Sequence, residues 1–225
     1  MKRIVLFASI LAMLSSCINI NVSPNGKAIR CKGPVTEKSM DLKDFSSIVV
    51  NGSADMKLFQ GDAFSVVVTA NEEVFQYLDY RVEDGVLILA TKDNVQIRAE
   101  KHELAVTLPC LESLQVNGAA DVDIPDGYVS GKALNIVVNG AGDFDFESVA
   151  VPSVAFTLNG AGDIDANGLD VEKVSVMVNG AGDIVLSGRA TEAVISVHGA
   201  GDVDARELAC DKWETHKAGL ASIRR

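Results

Sequence analysis

The sequence predicts an all-β fold, a parallel β-helix or closely related β-solenoid with repeats of about 20 residues and one short helix near its N-terminal end. The first observation is a recurring phrase: LQVNGAADVDI, IVVNGAGDFDF, FTLNGAGDIDA, VMVNGAGDIVL and ISVHGAGDVDA. Its Asn or His falls at Asn117, Asn139, Asn159, Asn179 and His198, in steps of 22, 20, 20 and 19 residues. A unit this short is too small to bury its own apolar face and has to stack on its neighbours. The second observation is the period inside the unit. Leu134, Ile136, Val138, Phe144 and Phe146 share one parity, while Asn135, Asn139, Asp143 and Asp145 share the other, which is the alternation of a strand with one face buried. Third, no helical pattern separates the phrases, so consecutive units become parallel strands about 4.8 Å apart.

The repeat extends in both directions. AGLASIR, near the C-terminal end, is a worn copy that keeps the step by placing Ser222 twenty residues after Asp202. VVNGSADMKLF, at Val49 to Phe59, is an earlier copy 66 residues before Asn117, which leaves room for three degenerate turns. Gly140 and Gly142 stand at inward parity, where glycine serves either a close approach of backbone from the opposite wall or a corner.

From the beginning of the chain, residues 1–16 read as a lipoprotein signal peptide: Lys2 and Arg3, an apolar run, then Leu14, Ser15 and Ser16 before Cys17. The apolar run is well short of the roughly 20 residues that span a bilayer. The LSSC ending resembles a bacterial lipobox, which makes Cys17 the lipidated first residue of the mature protein, anchored to a membrane without crossing it. Residues 17–40 read as a polar tether, with Pro24, Asn25 and Gly26 marking a turn. The solenoid domain is assigned to 41–225. At its start, Ile48 to Val50, Met56 to Phe59 and Ser65 to Thr69 read as strands. Asn71 to Tyr80 reads as the short helix, with Asn71 as its cap, Glu72 and Glu73 in its first turn, and Val74 and Leu78 facing inward. Its expected job is to cover the open end of the solenoid, whose unpaired strand would otherwise recruit other chains. Gly85 turns the chain into Val86 to Thr91, and Glu103 to Leu108 leads to the regular repeats.

Composition narrows the function. The formal charge is −11, and it becomes −13 once Lys2 and Arg3 are removed with the signal. This argues against nucleic acid, because phosphate binding relies on clustered Lys and Arg. The 225 residues, 48% of them apolar, are enough for one elongated domain with its own core.

After Cys17, three cysteines remain: Cys31, Cys110 and Cys210. An odd number cannot all pair within one chain. Cys110 and Cys210 belong to units five steps apart, about 24 Å at strand spacing, whereas a disulfide needs Cα atoms within about 7 Å. Buried thiols filling apolar space are expected, and no Cys or His spacing fits zinc.

The candidate ligand-facing residues form an acidic ladder of Asp121, Asp143, Asp163, Asp183 and Asp202, with Asp123, Asp145, Asp165 and Asp204 two places later. Stacked in register, neighbouring carboxylates lie about 5 Å apart and repel by about 0.9 kcal/mol in water, so they need solvent, turn amides or a cation. Calcium is the cation to weigh. In the calcium-binding β-roll repeat GGxGxDxUx, the aspartate stands two places after a glycine; in NGAGDF that place holds Phe144, and the period is 20 instead of nine. The expected role is therefore to serve turn amides, with no metal site assigned.

Catalysis finds little support. Carboxylate pairs such as Asp143 with Asp145 could do acid and base work in a glycan-active β-helix enzyme, but they repeat on almost every unit, where an active site needs one place that pushes pKa values apart. His102, His198 and His216 have no nucleophilic context, and Trp213 is expected to pack at the solenoid end.

The lipoprotein signal, DFSSIVVNGSADMKLFQGD, EDGVLIL and the GAGD repeats together resemble the head GIN domain family, of autotransporter-adhesin type, among exported bacterial proteins. The resemblance covers Asp41 to Arg225 and implies a β-helical fold, an envelope address and no catalytic residues. The reading is a cell-envelope lipoprotein, exported and anchored by lipid at the outer membrane, whose β-solenoid head serves adhesion, surface interaction or envelope structure. Its expected partners are the membrane and a glycan or protein ligand on a surface. The alternatives are a glycan-active enzyme and a periplasmic ligand-sensing module.

Overall fold

The computed structural model describes residues 28–225, and the signal peptide and Cys17 lie outside them. The chain is a β-solenoid of about six turns. Its parallel strands stack in the order Ser47–Gln60, Ser113–Ile124, Leu134–Ala141, Val149–Ala161, Ile164–Gly180, Ile184–Gly199 and Asp202–Gly219. Each phrase lies on the corresponding residues of the next: Asn139 pairs with Asn117 on one side and with Asn159 on the other. A regular turn holds three strand segments, as in Val154–Leu158, Ile164–Ala166 and Leu169–Val171, each paired with its counterpart one turn on. The 19-residue step is absorbed by register shifts between Ala166 and Leu169 and between Val185 and Ser187, at the ends of their phrases.

The inward parity supplies the core. Ile136, Val138, Phe144, Phe146, Phe156, Leu158, Ile164, Val176, Val178, Ile184, Ile195 and Val197 are buried in one continuous cluster. Phe146 and Phe156 meet edge to face at 5.5 Å between centroids. Burying a side chain of this size contributes about 1.5–3 kcal/mol, and a shift of one residue would turn every one of them outward, which holds the register.

The glycines sit at a corner between turns. A Cβ on Gly140 (φ +151°) would lie 1.9 Å from the carbonyl oxygen of Gly118, and one on Gly160 would lie 1.9 Å from that of Gly140. The close approach is therefore along the stack, between equivalent residues, and does not involve the opposite wall.

Three expectations are corrected. No extra turns separate the first copy from the second: Ser47–Lys57 pairs directly with Ser113–Asp123, Asn51 on Asn117. The residues between fold back over the other edge of Ser47–Gln60. Val86–Leu89 and Glu103–Leu108 pair with it in parallel, and antiparallel strands Leu78–Glu83 and Ser65–Asn71 extend them. Second, the expected helix is a short 3-10 segment, Glu72–Tyr77, followed by the strand from Leu78. Its Val74 is fully buried, so it does cover the end, but Asn71 does not cap it. The Asn71 side chain instead donates to the Gly33 carbonyl at 2.9 Å and accepts the N–H groups of Glu100 and Lys101, each at 3.0 Å. Tertiary hydrogen bonds win because Asn71 is 1% exposed, where an unsatisfied amide is costly. Third, part of the expected tether is folded. Val35–Met40 pairs antiparallel with Ser65–Asn71, and Ala28–Cys31 pairs in parallel with Gln96–Ala99. The alternation of Val35, Glu37 and Ser39 against Thr36, Lys38 and Met40 suffices for an edge strand although it is mostly polar.

Candidate functional site

The repeated phrase builds a corner with three ladders. The first is made of asparagine amides. Asn117 Nδ2 donates to Asn51 Oδ1 at 2.9 Å, Asn139 to Asn117 at 2.9 Å, Asn159 to Asn139 at 2.9 Å and Asn179 to Asn159 at 2.8 Å. Only side chains of equal length at equal height can make such a ladder, so it exists because the register places like on like. His198, paired with Asn179, takes the next place. The glycine row follows and closes the corner.

The third ladder contains the sequence-predicted aspartates, which the fold brings into one row. Asp121 Oδ1 accepts the backbone N–H of Asp143 at 3.2 Å, Asp143 that of Asp163 at 3.2 Å, Asp163 that of Asp183 at 2.9 Å and Asp183 that of Asp202 at 3.0 Å. Asp202 pairs with Arg224 at 3.1 Å. Each carboxylate therefore satisfies an amide one turn on, at a corner where the strand ladder is interrupted. Among the described residues, no group of three or more His, Cys, Asp or Glu side chains is placed to hold a metal ion.

Beyond this corner the surface is acidic. Asp123, Asp145 and Asp165 stand side by side in consecutive turns, and Lys57, at one end of their row, reaches Asp123 at 3.5 Å. Burial, then Asp145, Asp163 and Asp143, push the Asp165 carboxyl above its usual range. Asp55 is pushed up likewise by burial, then by Asp121 and Glu103, against Lys101. At the far end Arg206 pulls Asp204 down to about 2 by hydrogen bonding. An open groove of about 580 Å³ runs between Asp55, Glu103, Asp121 and Asp145.

Before the corner the surface is the opposite. Its outward rows are Ser47, Ser113, Asn135, Ala155, Ser175 and Val194; then Val49, Gln115, Val137, Thr157, Met177 and Ser196; then the amide ladder ending at His198. Over these six turns none carries a carboxylate, ammonium or guanidinium; the last strand continues the rows with Glu214, His216 and Ala218. Met177, 45% exposed, lies in the central row, in the fifth of these turns. This face was not singled out in the sequence. The signal was present in the outward parity of each phrase, but it emerges only when the units are aligned and read across the turns.

The remaining sequence candidates are dispersed. Cys31 is buried, whereas Cys110 and Cys210 are half-exposed, a correction to the expectation of three buried thiols; all three are free. Cys110 Sγ lies 3.3 Å from Ser130 Oγ, and Cys210 donates to the Lys212 carbonyl at 3.1 Å. Trp213 packs partly against the core at the last turn. His102 is half-buried at the N-terminal end, hydrogen-bonded through Nε2 to the Tyr80 hydroxyl at 2.9 Å, with its pKa lowered by burial.

The family description "Putative auto-transporter adhesin, head GIN domain" matches residues 44–169 and again 147–224. The chain belongs to the head GIN domain family. The two overlapping matches reflect the repeat, since stacked units satisfy the same pattern at more than one register. A prokaryotic membrane lipoprotein lipid attachment site matches residues 1–17, so the head GIN protein is an exported, membrane-anchored lipoprotein. No curated protein matches the sequence.

Solved structures share the fold. A "putative adhesin" from Bacteroides fragilis NCTC 9343 superposes with a TM-score of 0.71 at 19% identity, over 87% of this chain and 99% of its own. A second, from Parabacteroides distasonis ATCC 8503, gives 0.70 at 22% identity over 88% and 84% of the two chains. A "putative lipid binding protein" from the same organism gives 0.66 at 19% identity over 88% and 99%. Among the described residues no helix is long and apolar enough to cross a membrane.

Proposed function

We propose that this head GIN protein is an adhesin-type surface-interaction module, held through lipidated Cys17 at the outer membrane, that engages an uncharged polymer, in the first instance a neutral glycan, on its charge-free face. The observation that carries this reading is the segregation of charge. In a chain of formal charge −11, three adjoining rows hold no ionised side chain over six consecutive turns, up to Glu214 in the last strand, while the face beyond the corner is lined with aspartates. Solubility by itself favours charge spread over all faces. A broad neutral face instead lowers the desolvation cost of laying a flat polar ligand against it, because amides and hydroxyls exchange water for ligand hydroxyls at little net cost. The acidic face keeps the molecule soluble and repels anionic surfaces.

A binding role is supported over a catalytic one by the family description and by the repetition of the carboxylate pair at Asp121 and Asp123, Asp143 and Asp145, and Asp163 and Asp165, which singles out no one turn as a reaction centre. The aspartate row is read as support for the corner, since its oxygens serve amides. The test is an array of glycans and matrix proteins probed with the mature protein, followed by Thr157→Glu with Met177→Glu. Capture of a neutral glycan that falls at least tenfold in the double variant is expected. Capture that survives the double variant but is lost with Asp145→Lys would move the site to the acidic face and overturn the reading.

A further inference from the structure

The strand Asp202–Gly219 pairs with Ile184–Gly199 along one edge and with Ser222–Arg224 only over Asp202–Asp204. Among the described residues its other edge, from Ala205 to Gly219, has no neighbour. The opposite end of the solenoid is finished by antiparallel strands and the 3-10 segment, whereas this one presents an open row of N–H and C=O groups, a template for another strand.

The side chains on that strand restrict what can pair with it. In the preceding turn the inward places hold Ala193, Ile195 and Val197, all fully buried; the places aligned with them hold Trp213, Thr215 and Lys217. A further parallel turn of apolar residues would trap the Lys217 ammonium without a partner, and an inward-pointing lysine is a known guard against indiscriminate strand addition. The outward places add Lys212, Glu214 and His216, the last two already in contact within the chain at 2.9 Å, a contact that the pairing below exchanges for the same contact between copies.

The same residues complement themselves when a second copy is turned round. We propose that two copies of this chain pair antiparallel along Lys212–Ala218 about a twofold axis at Thr215. Thr215 then meets Thr215, Lys217 of each copy lies across from Trp213 of the other, and Glu214 lies across from His216. The ammonium is placed against an indole face and the carboxylate against an imidazole, each twice by symmetry. Registers that keep inward residues together by shifting two places fail. Centring on Glu214 sets carboxylate against carboxylate; centring on His216 sets imidazole against imidazole and leaves Glu214 facing Ala218. The committed occupant is therefore a second copy, selected by charge complementarity.

The test uses the full chain, processed by its host and purified in detergent, with circular dichroism to verify folding of each variant. Thr215→Cys should form a disulfide-linked dimer under mild oxidation, at least tenfold more than either the wild type, which carries Cys110 and Cys210, or Met177→Cys on the neutral face. Glu214→Lys in the Thr215→Cys background should reduce the linked dimer several-fold, and adding His216→Glu should restore it. Equal linking in all three proteins, linking of Thr215→Cys to some other envelope protein, or failure of the charge exchange to restore linking would each overturn the proposal.

Discussion

The backbone N–H of Asp163 donates to Oδ1 of Asp143, one turn earlier in the stack, at 3.2 Å. The same bond recurs at each neighbouring turn, which makes the aspartate row a set of side-chain acceptors for corner amides. Asp163→Ala should therefore destabilise the fold by about 1 kcal/mol, since a net hydrogen bond of this kind is worth about that much and the site is exposed to water. Asp163→Asn keeps an oxygen acceptor and should cost less than half as much. Chelator should leave the melting temperature unchanged. A calcium site at a ligand concentration 100 times its dissociation constant would add about 2.7 kcal/mol, so a large chelator-induced loss restored by calcium would refute the amide role.

Gly160→Ala should be among the most damaging single substitutions. The new methyl would sit 1.9 Å from the Gly140 carbonyl oxygen at a φ of +157°. Neither backbone can retreat without opening the stack, so a loss above about 2 kcal/mol is expected in urea unfolding. Gly131→Ala, where a Cβ meets nothing within 4 Å, is the control and should change stability little.

His102 should make stability fall on mild acidification. Burial lowers its folded-state pKa below the unfolded value of about 6.5, so the unfolded chain binds the proton first. The stability it permits is full above pH of about 6.5 and declines as pH falls from there through the lowered folded value. Urea titrations at pH 7.5 and 5.5 should show the decline, and His102→Gln, whose carbonyl can accept from Tyr80, should flatten it.

Asp165 should show the opposite sign. Its folded-state pKa is raised by burial and by the neighbouring aspartates, so the ionised group weakens the fold at neutral pH, and the penalty fades as pH falls through the raised value. Asp165→Asn is expected to raise the melting temperature at pH 7 in low salt. The gain should shrink in high salt, and at a pH below about 3.8, where the wild-type carboxyl is protonated in both states. A gain independent of both would point to packing instead of charge.

Cys17 is proposed as the first residue of the mature chain. Mass spectrometry of the native N-terminus should find it acylated, and Cys17→Ala should release the protein from the membrane fraction. An unmodified N-terminus beginning elsewhere would contradict the lipobox reading. A non-reducing peptide map should contain no Cys110–Cys210 bridge within one chain, because the stack separates those residues by five turns.

The amino-acid sequence by itself determined the solenoid, because a 20-residue period with strand parity leaves one way to bury Val138, Leu158 and Val178, which is to place them over one another. It equally determined that Asp143, Asp163 and Asp183 share a row, since identical phrases stacked in register put like on like. What only the tertiary structure decided is which distant segments meet. Asn51 lies on Asn117 across 66 residues of chain because closing a loop becomes only slowly more expensive with length, about 0.6 kcal/mol for each doubling, and spacing therefore carried no instruction about its partner. Asn71 looked locally like a helix cap, and backbone carbonyl and amide groups of Gly33, Glu100 and Lys101 claimed it instead. The charge-free face was written into each of the five NGAGD-type repeats, yet a face is a property of several strands at once, and it existed only once the register had set them side by side.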